Sequence, residues 1–354
     1  MIIRNEKSDE STAEATAAEE ERIISATSND NQAFENTLRP SSFDEYVGQS
    51  KIKKNLKICI QATKKRDESL EHVLLHGPPG LGKTTLANII AKELDVNLKI
   101  TSGPALEKQG DLAAIISNLQ DKDVLFIDEI HRVKPGIEEL LYTAMEDYGI
   151  DIVLGKGPSA KSMRLNLPKF TLIGATTKVS MLSAPLRDRF GINFRLDFYD
   201  TDEIQNILVR SSRILNCDID VEAADLLSSC SRQTPRIANR LLKRVRDFAD
   251  YHDKSSIDTA LTKEALDSLG VDARGLDHLD REILVSIIEK FGGGPVGLNT
   301  IAASTSEEES TIEDIYEPFL IKLGFLERTS RGRIATRHAY DHLGIDIPTS
   351  PILG

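Results

Sequence analysis

The chain has 354 residues, of which 40% are hydrophobic and 28% charged, so it is long enough for two or three globular domains. A formal net charge of -12 excludes a uniformly cationic protein that coats DNA, although a local basic patch remains compatible with it. No apolar run approaches the roughly 20 residues that a membrane span needs, and the polar start of the chain is not a secretory signal.

The three cysteines and the acidic start of the chain further narrow the class of protein. Cys59, Cys217 and Cys230 are scattered without metal-binding spacing, which indicates reduced thiols in a cytoplasmic protein. Residues 1–35 carry nine acidic and three basic side chains, a composition typical of a disordered tail. Order is expected to begin near Thr37, and a lysine-rich helix is predicted at about 51–66.

A glycine-rich segment at 77–85 carries the strongest chemical signal. It reads Gly-Pro-Pro-Gly-Leu-Gly-Lys-Thr-Thr, follows a short apolar run and precedes apolar residues at helical spacing. Strand, loop and helix in this order fit the P-loop, whose backbone N–H groups surround a phosphate chain. Lys83 is then expected to reach the β- and γ-phosphates of a nucleotide, and the Thr84 hydroxyl to bind Mg²⁺. A simple Gly/Pro turn would not need Gly-Lys-Thr at its end.

Two carboxylates, Asp128 and Glu129, end a second apolar strand at 124–127. They are expected at the C-terminal edge of a parallel sheet, where ligands of open α/β sheets bind. Asp128 would hold Mg²⁺ directly or through water, and Glu129 would polarise the attacking water. The alternative is an acid pair that caps the next helix, and the P-loop about 45 residues upstream disfavours it.

The next two segments leave alternatives open. A hairpin is predicted from the apolar runs 150–154 and 163–167, either as a protein-binding arm or packed on its own domain. A strand at 170–177 ends in hydroxyls, one of which could orient the attacking water. Arg187 and Arg189 follow, and either could reach a γ-phosphate or form a surface ion pair with the intervening aspartate.

The alternation of strands and helices over 37–200 predicts a parallel sheet of about five strands wrapped by helices. Residues 201–270 carry helical patterns without strands, and Arg236 at a helix start is a candidate nucleotide contact. Three helices and a hairpin at 324–337 predict a winged helix. The hairpin arginines indicate either contact with DNA phosphates or a solvated surface; they are Arg328, Arg331, Arg333 and Arg337.

Several of these motifs together resemble a known family. The segments 77–87, 128–132 and 174–177 resemble AAA+ ATPases. The segments 186–191, 234–240 and 292–298 narrow the resemblance to the RuvB family of bacterial Holliday-junction branch-migration motors. It runs from about 37 to 343 and leaves out the acidic tail. The run Lys178-Val179-Ser180-Met181 departs from the Arg-Ala-Gly-Leu that is frequent in the family, without touching a nucleotide-binding position.

The resemblance implies an α/β fold in three domains after a tail at 1–35: a large AAA+ ATPase domain at 36–200, a helical lid at 201–272 and a winged-helix head at 273–354. It implies an ATP hydrolase of the DNA helicase class that uses Mg²⁺ and works as a cytoplasmic homohexamer. Its implied partners are RuvA, RuvC, duplex DNA and the Holliday junction, in recombination, DNA repair and the SOS response.

The resemblance also assigns roles to individual residues. The expected ATP contacts are Leu38, Arg39, Gly80, Lys83, Thr84, Thr85, Glu146, Asp147, Tyr148, Arg189, Tyr199 and Arg236. The expected catalytic residues are Lys83, Asp128, Glu129, the sensor Thr176, and Arg187 and Arg189, one of which acts on a neighbouring subunit's nucleotide. The expected Mg²⁺ ligands are Thr84 and Asp128. The expected DNA contacts are Arg328 and Arg333, and the expected RuvA-binding residues are Ile150, Ile152, Val153, Leu154 and Leu165.

Two rival functions belong to other classes. An ATP-switched DNA binder of the origin-recognising type would prefer one DNA sequence. A clamp-loader subunit usually carries Ser-Arg-Cys where this chain has Leu186-Arg187-Asp188, and it lacks a winged head.

Overall fold

The computed structural model describes residues 36–154 and 161–347. The predicted tail at 1–35 and the turn of the predicted hairpin at 155–160 lie outside the described residues. Seven strands occupy the first part of the described chain: β1 (Val73–His76), β2 (Leu98–Ser102), β3 (Val124–Asp128), β4 (Gly149–Leu154), β5 (Lys161–Asn166), β6 (Thr171–Thr176) and β7 (Ile192–Arg195).

Five of these strands form one parallel sheet in the order β2-β3-β6-β1-β7. The central strands β1, β3 and β6 are apolar nearly throughout because helices cover both faces of the sheet. Along β1, Val73 and Leu75 pack into the core on one face and Leu74 into the core on the other. This alternation follows from the period of two in a strand.

Five helices accompany the sheet: α1 (Ser50–Arg66), α2 (Lys83–Leu94), α3 (Gln109–Ser117), α4 (Pro135–Asp147) and α5 (Ala184–Asp188). The predicted lysine-rich helix is confirmed as α1, whose residues Ile52, Leu56 and Ile60 are buried. Pro135 lies in the first turn of α4, where the missing N–H removes no helical hydrogen bond. The predicted α/β domain is therefore confirmed.

Strands β4 and β5 pair antiparallel, which confirms the predicted hairpin. Its base packs on its own domain: Ile150 is 1% exposed, and its cross-strand partner Leu165 contacts the same core. The expectation that Ile150 contacts RuvA is therefore wrong, because no surface of this side chain is available. The side chains of Ile152, Val153 and Leu154 lie outside the description.

The segment after the sheet consists mainly of helices, as predicted. They are α6 (Thr201–Ile214), α7 (Val221–Cys230), α8 (Pro235–Tyr251) and α9 (Thr259–Ser268). The prediction of no strands here is wrong, because β8 (Asp218–Ile219) and β9 (Ser256–Ile257) form a short parallel pair. Two residues per strand are too few to leave a periodic signal in the sequence.

The last segment has the predicted helices and hairpin. Its helices are α10 (His278–Val285), α11 (Leu298–Thr305), α12 (Glu309–Thr311), α13 (Glu317–Lys322) and α14 (Arg337–Leu343). Five-residue π-helical turns extend α10 to Lys290 and join α12 to α13. The hairpin consists of β10 (Leu326–Thr329) and β11 (Gly332–Ala335), and α14, which follows it, was not predicted. This segment has a hydrophobic core of its own.

A buried arginine joins the segment before α8 to the start of α10. The Arg232 guanidinium donates hydrogen bonds to the carboxylates of Asp277 and Asp280 and lies 5.3 Å from the centre of the Tyr316 ring. Asp280 is fully buried. Burial raises the pKa of Asp280 to about 7, whereas Arg232 acts in the opposite direction.

The raised pKa of Asp280 should appear as a pH dependence of stability. Between about pH 4 and 7 the folded chain keeps a proton that the unfolded chain has released. The stabilising contribution of this proton is complete below about pH 4 and is lost as the pH rises through about 7, by at most about 1.4 kcal/mol per pH unit. Thermal denaturation from about pH 5 to 8 should show the free energy of unfolding of the wild type falling relative to that of Asp280→Asn. Parallel profiles would contradict this.

Candidate functional site

The predicted P-loop connects β1 to α2. Gly77, Gly80 and Gly82 have φ angles of 140°, 79° and 94°, a region that residues with a side chain rarely adopt. A Cβ atom at Gly77 would lie 2.5 Å from the carbonyl oxygen of Leu196, so only glycine fits there. Because α2 begins directly after the loop, its unpaired N–H groups and the positive end of its dipole face the space that the loop encloses.

The Lys83 side chain is turned into the P-loop. It is 8% exposed, and its Nζ donates to the carbonyl oxygens of Gly77 at 2.7 Å and Pro78 at 2.8 Å. Burial lowers the pKa of Lys83 to about 8, while the negative charge of Asp128 favours the ammonium form. An approaching phosphate would add negative charge and so keep Lys83 protonated.

The predicted acid pair stands opposite the loop. Thr84 Oγ1 donates to Asp128 Oδ2 at 3.3 Å, and Asp128 Oδ1 accepts from the Glu129 N–H at 2.9 Å. Glu129 has a left-handed φ of 47°, and its carboxylate pairs with Arg132 at 3.0 Å. A hydroxyl and a carboxylate suit Mg²⁺, which commonly takes one or two protein oxygens besides water and phosphate. Thr84 and Asp128 therefore fit the ion.

These groups belong to one cleft of about 310 Å³ at the C-terminal edge of the sheet, a size within the range of ligand sites. Ten of the predicted site residues line it: Leu38, Arg39, Gly80, Lys83, Thr84, Thr85, Asp128, Glu129, Tyr199 and Arg236. Pro79 and Gly82, from the predicted P-loop, line it as well. Further lining residues were not predicted as nucleotide contacts: Pro40, Glu45, Tyr46, Val47, Thr177, Ile207, Arg210, Pro235 and Asn239.

The hydroxyl that reaches the cleft at the end of β6 belongs to the residue after the predicted sensor. Thr176 is buried, and its Oγ1 contacts His131 Nδ1 at 2.9 Å and accepts from the Lys178 N–H at 2.9 Å. The next residue, Thr177, lines the cleft. Neighbouring residues of an extended chain point to opposite sides, so the shift by one residue changes which hydroxyl reaches the ligand. Thr177, rather than the expected Thr176, is therefore the candidate for a sensor hydroxyl.

Residues from three distant parts of the chain form the far wall of the cleft. Tyr199 Oη lies 2.9 Å from Tyr46 Oη and 3.2 Å from the carbonyl oxygen of Leu81, so its single hydroxyl hydrogen is shared within this group. Burial raises the pKa of Tyr199 to about 12, so the phenol stays neutral. Arg210 donates to the carbonyl oxygen of Leu38 at 2.8 Å and thereby fixes the chain that enters the domain. Tyr46 could have been found from its place in the ordered segment after Thr37.

Arg236 reaches the cleft from the start of α8. Thr234 caps this helix by accepting a hydrogen bond from the Ile237 N–H at 3.4 Å, and Pro235 occupies the first turn. A Cβ atom on Gly80 would lie 3.2 Å from the Cβ of Arg236. The start of α8 therefore closes directly over the P-loop.

Glu146, Asp147 and Tyr148 do not line the cleft of their own chain. The Tyr148 ring lies 6.4 Å from His72 and 6.1 Å from Phe170 between ring centres. His72 and Phe170 precede β1 and β6, so this group lies at the N-terminal edge of the sheet, opposite the cleft. The expected nucleotide contact of these three residues is therefore not made within the cleft of the same chain, because α4 runs from the C-terminal to the N-terminal edge of the sheet.

Arg189 lies with Glu146 rather than with the cleft. Its Nη2 donates to Glu146 at 2.7 Å, its Nη1 donates to the Pro185 carbonyl oxygen at 2.9 Å, and its guanidinium lies 4.8 Å from the centre of the Tyr142 ring. Arg187 is exposed, and neither arginine lines the cleft. Neither arginine therefore contacts the cleft of its own chain.

The two predicted DNA-contacting arginines are cross-strand partners in the hairpin β10–β11. Arg333 forms a two-pronged pair with the buried carboxylate of Glu317, at 3.2 and 2.9 Å. Arg328 donates to Glu313 at 3.1 Å, and its side chain is 56% exposed against 11% for Arg333. Arg328 is accordingly the more accessible of the two positive charges.

Three domains of one protein family match this chain, in the same order as its three structural segments. Residues 38–196 match the Holliday junction DNA helicase RuvB P-loop domain, residues 199–272 the RuvB AAA lid domain, and residues 273–344 the RuvB C-terminal winged helix domain. The chain belongs to the RuvB family. The predicted resemblance and the predicted three-part fold class are thereby confirmed.

Solved structures of RuvB are similar over most of the chain. A structure described as the Thermotoga maritima RuvB Holliday junction branch migration motor is 49% identical, covers 88% of this chain and 100% of its own, and has a TM-score of 0.81. A lysine-to-arginine mutant of Thermotoga maritima RuvB is 50% identical over 88% and 99% of the two chains, with a TM-score of 0.82. Among the described residues of this RuvB-family chain, no helix has the length and apolar character to cross a membrane.

Proposed function

We propose that this chain is the ATP-driven motor of the Holliday junction branch migration complex. The observation that carries the proposal is the convergence of the P-loop lysine, the acid pair and the lid arginine on one cleft of a RuvB-family chain. Catalysis of phosphoryl transfer needs positioning and charge stabilisation, and this cleft supplies both.

In the proposed reaction, Lys83 leaves the P-loop carbonyls and binds the β- and γ-phosphates of ATP. Thr84 and Asp128 would hold Mg²⁺, which would supply positive charge against the phosphates when bound. Glu129 turns from Arg132 toward the attacking water and polarises it. Thr177, which also lines the cleft, orients the same water.

The proposed active form is a homohexameric ring in which each site receives an arginine from its neighbour. Arg189 is our candidate, because Glu146, the Pro185 carbonyl and the Tyr142 ring hold its guanidinium in one place away from its own cleft. Asp147 and Tyr148 would face the nucleotide of the neighbouring subunit together with Arg189. Such an arginine in trans makes each hydrolysis depend on the adjacent subunit.

The proposed domain boundaries are 36–200 for the ATPase domain, 201–272 for the lid and 273–354 for the head. Loss of the γ-phosphate would release Arg236 and let the lid turn relative to the P-loop, as in other hinge closures around a ligand. The head would follow, because Arg232 ties the lid to α10. Successive strokes would pull duplex DNA through the junction.

The proposed partners extend beyond DNA. RuvA would bind the outer part of the hairpin β4–β5, where Met163 is 49% exposed opposite Ile152, and would supply recognition of the junction. RuvC would act on the same junction in the cytoplasm.

The head is proposed to hold the DNA backbone through Arg328 and Arg333. Replacing Arg328 with alanine should weaken binding to all duplex sequences alike and lower the slope of log affinity against log salt concentration by about 1. Fluorescence anisotropy with two unrelated duplexes, and duplex-stimulated ATP turnover, would measure both effects. Arg274→Ala, at an exposed arginine outside the hairpin, is the matched control.

A loss that depends on the sequence of the duplex would contradict backbone contact. It would favour the ATP-switched, sequence-recognising binder instead, because base contacts carry sequence information and phosphate contacts do not.

A further inference from the structure

A line of charged side chains connects the end of β6 with the hairpin β10–β11. Lys178 directly follows Thr177, which lines the cleft, and its own N–H is anchored on Thr176 Oγ1 at 2.9 Å. Its Nζ lies 2.9 Å from Asp314 Oδ2 and 3.8 Å from Glu313 Oε2. The segment that follows the sensor hydroxyl is therefore joined to the head by charge.

Glu313 contacts two cations with its two oxygens. Its Oε2 faces Lys178, and its Oε1 accepts from Arg328 Nη2 at 3.1 Å. Arg328 also contacts a second carboxylate: its Nε lies 3.9 Å from the buried Glu317, which pairs with Arg333 as well. One carboxylate thus stands between a side chain next to the nucleotide cleft and the more exposed of the two cross-strand arginines of the hairpin.

The backbone at this carboxylate is unusual. Glu313 and Asp314 lie in the π-helical turn Ile312–Tyr316 between α12 and α13. Such turns are rare and occur frequently at functional sites. Ile312 is buried in the core of the head, so the turn presents both carboxylates from a fixed place on this domain.

Lys178 and Arg328 share the negative charge of Glu313, each at one of its two oxygens, so a change at one pair alters the strength of the other. When Lys178 pairs with Glu313 and Asp314, Arg328 is bound less strongly and is available to a DNA phosphate. When Lys178 withdraws, Glu313 retains Arg328. By linkage, a phosphate that takes Arg328 leaves Glu313 to Lys178 and so acts back on the end of β6.

We propose that Lys178 is a positioning residue that couples the nucleotide cleft to Arg328 through Glu313. The inference rests on the proposed DNA contact of Arg328 and adds the route by which the nucleotide alters it. Movement of Thr177 when the γ-phosphate is lost would carry Lys178 with it. Because the pairs are partly exposed, the coupling is expected to be modest and to weaken at high salt.

The test compares two affinities of the same full-length variant. For each protein, duplex DNA binding is measured with a non-hydrolysable ATP analogue and with ADP, and the ratio of the two affinities is the readout. Lys178→Met should bring this ratio about two- to fivefold closer to one, the range expected for a partly exposed ion pair. A general loss of stability affects both states and leaves the ratio unchanged. Lys54→Met, at an exposed lysine of α1, is the control.

A double-mutant cycle tests the route. If the coupling passes through Glu313, then Glu313→Gln combined with Lys178→Met should change the ratio no more than either variant alone. Full additivity of the two effects would overturn the route.

Arg328→Ala separates the two ways in which the inference can fail. If Arg328→Ala binds DNA as tightly as the wild type, the proposed DNA contact is wrong and the coupling falls with it. Suppose instead that Arg328→Ala weakens DNA binding, but Lys178→Met and the control Lys54→Met show the same ratio of affinities with the ATP analogue and with ADP. The DNA contact of Arg328 is then supported, and the proposed coupling through Lys178 is overturned.

Discussion

Replacement of Lys83 with alanine is expected to lower kcat for ATP hydrolysis by at least about 10²- to 10³-fold. The ammonium is buried in the P-loop and has exchangeable carbonyl partners at 2.7 and 2.8 Å, so phosphate oxygens can take their place. Without it, the charge that develops on the transferred phosphoryl group loses one of the cations that stabilise it. Steady-state turnover and equilibrium binding of a fluorescent ATP analogue would measure the loss.

Lys92→Ala is the matched control, since Lys92 lies exposed in the last turn of the same helix. It should turn over ATP as the wild type does. Normal turnover by Lys83→Ala would contradict the P-loop assignment.

The second large effect is expected at Glu129. Glu129→Gln keeps the shape of the side chain and a hydrogen-bond acceptor but removes the base, so ATP should still bind while kcat falls about 10²- to 10⁴-fold. Single-turnover hydrolysis together with nucleotide affinity separates the two quantities.

Glu139→Gln, at an exposed glutamate of α4, controls for loss of one negative charge in the same region. Full activity of Glu129→Gln would place the catalytic base elsewhere. A loss of ATP binding as large as the loss of kcat would show that Glu129 acts in binding rather than in the chemical step.

Local chemistry made the cleft predictable from the sequence. The P-loop and the acid pair are each contained within a few consecutive residues, and the parallel sheet necessarily brings their strand ends to one edge. The sensor was displaced by one residue, because two adjacent threonines look alike in sequence and only the side to which each points separates Thr176 from Thr177.

Features that depend on distant contacts could not be predicted in the same way. Glu146 and Arg189 are 43 residues apart and meet only because α4 and α5 pack together. The hairpin arginines were predicted as a positive surface, yet Glu313 and Glu317 neutralise part of it from another helix. Burial of Ile150 likewise follows from the core beneath the hairpin, since an apolar strand residue in isolation reads equally as core or as contact surface.

The motor assignment is tested most directly by ATP-dependent conversion of a synthetic four-way junction into duplexes, with and without RuvA. The wild type should convert the junction only with both ATP and RuvA, and Lys83→Ala should leave it intact under the same conditions. ATP turnover without any movement of the junction, at salt and RuvA concentrations that permit binding, would contradict the assignment and favour an ATP-switched DNA binder.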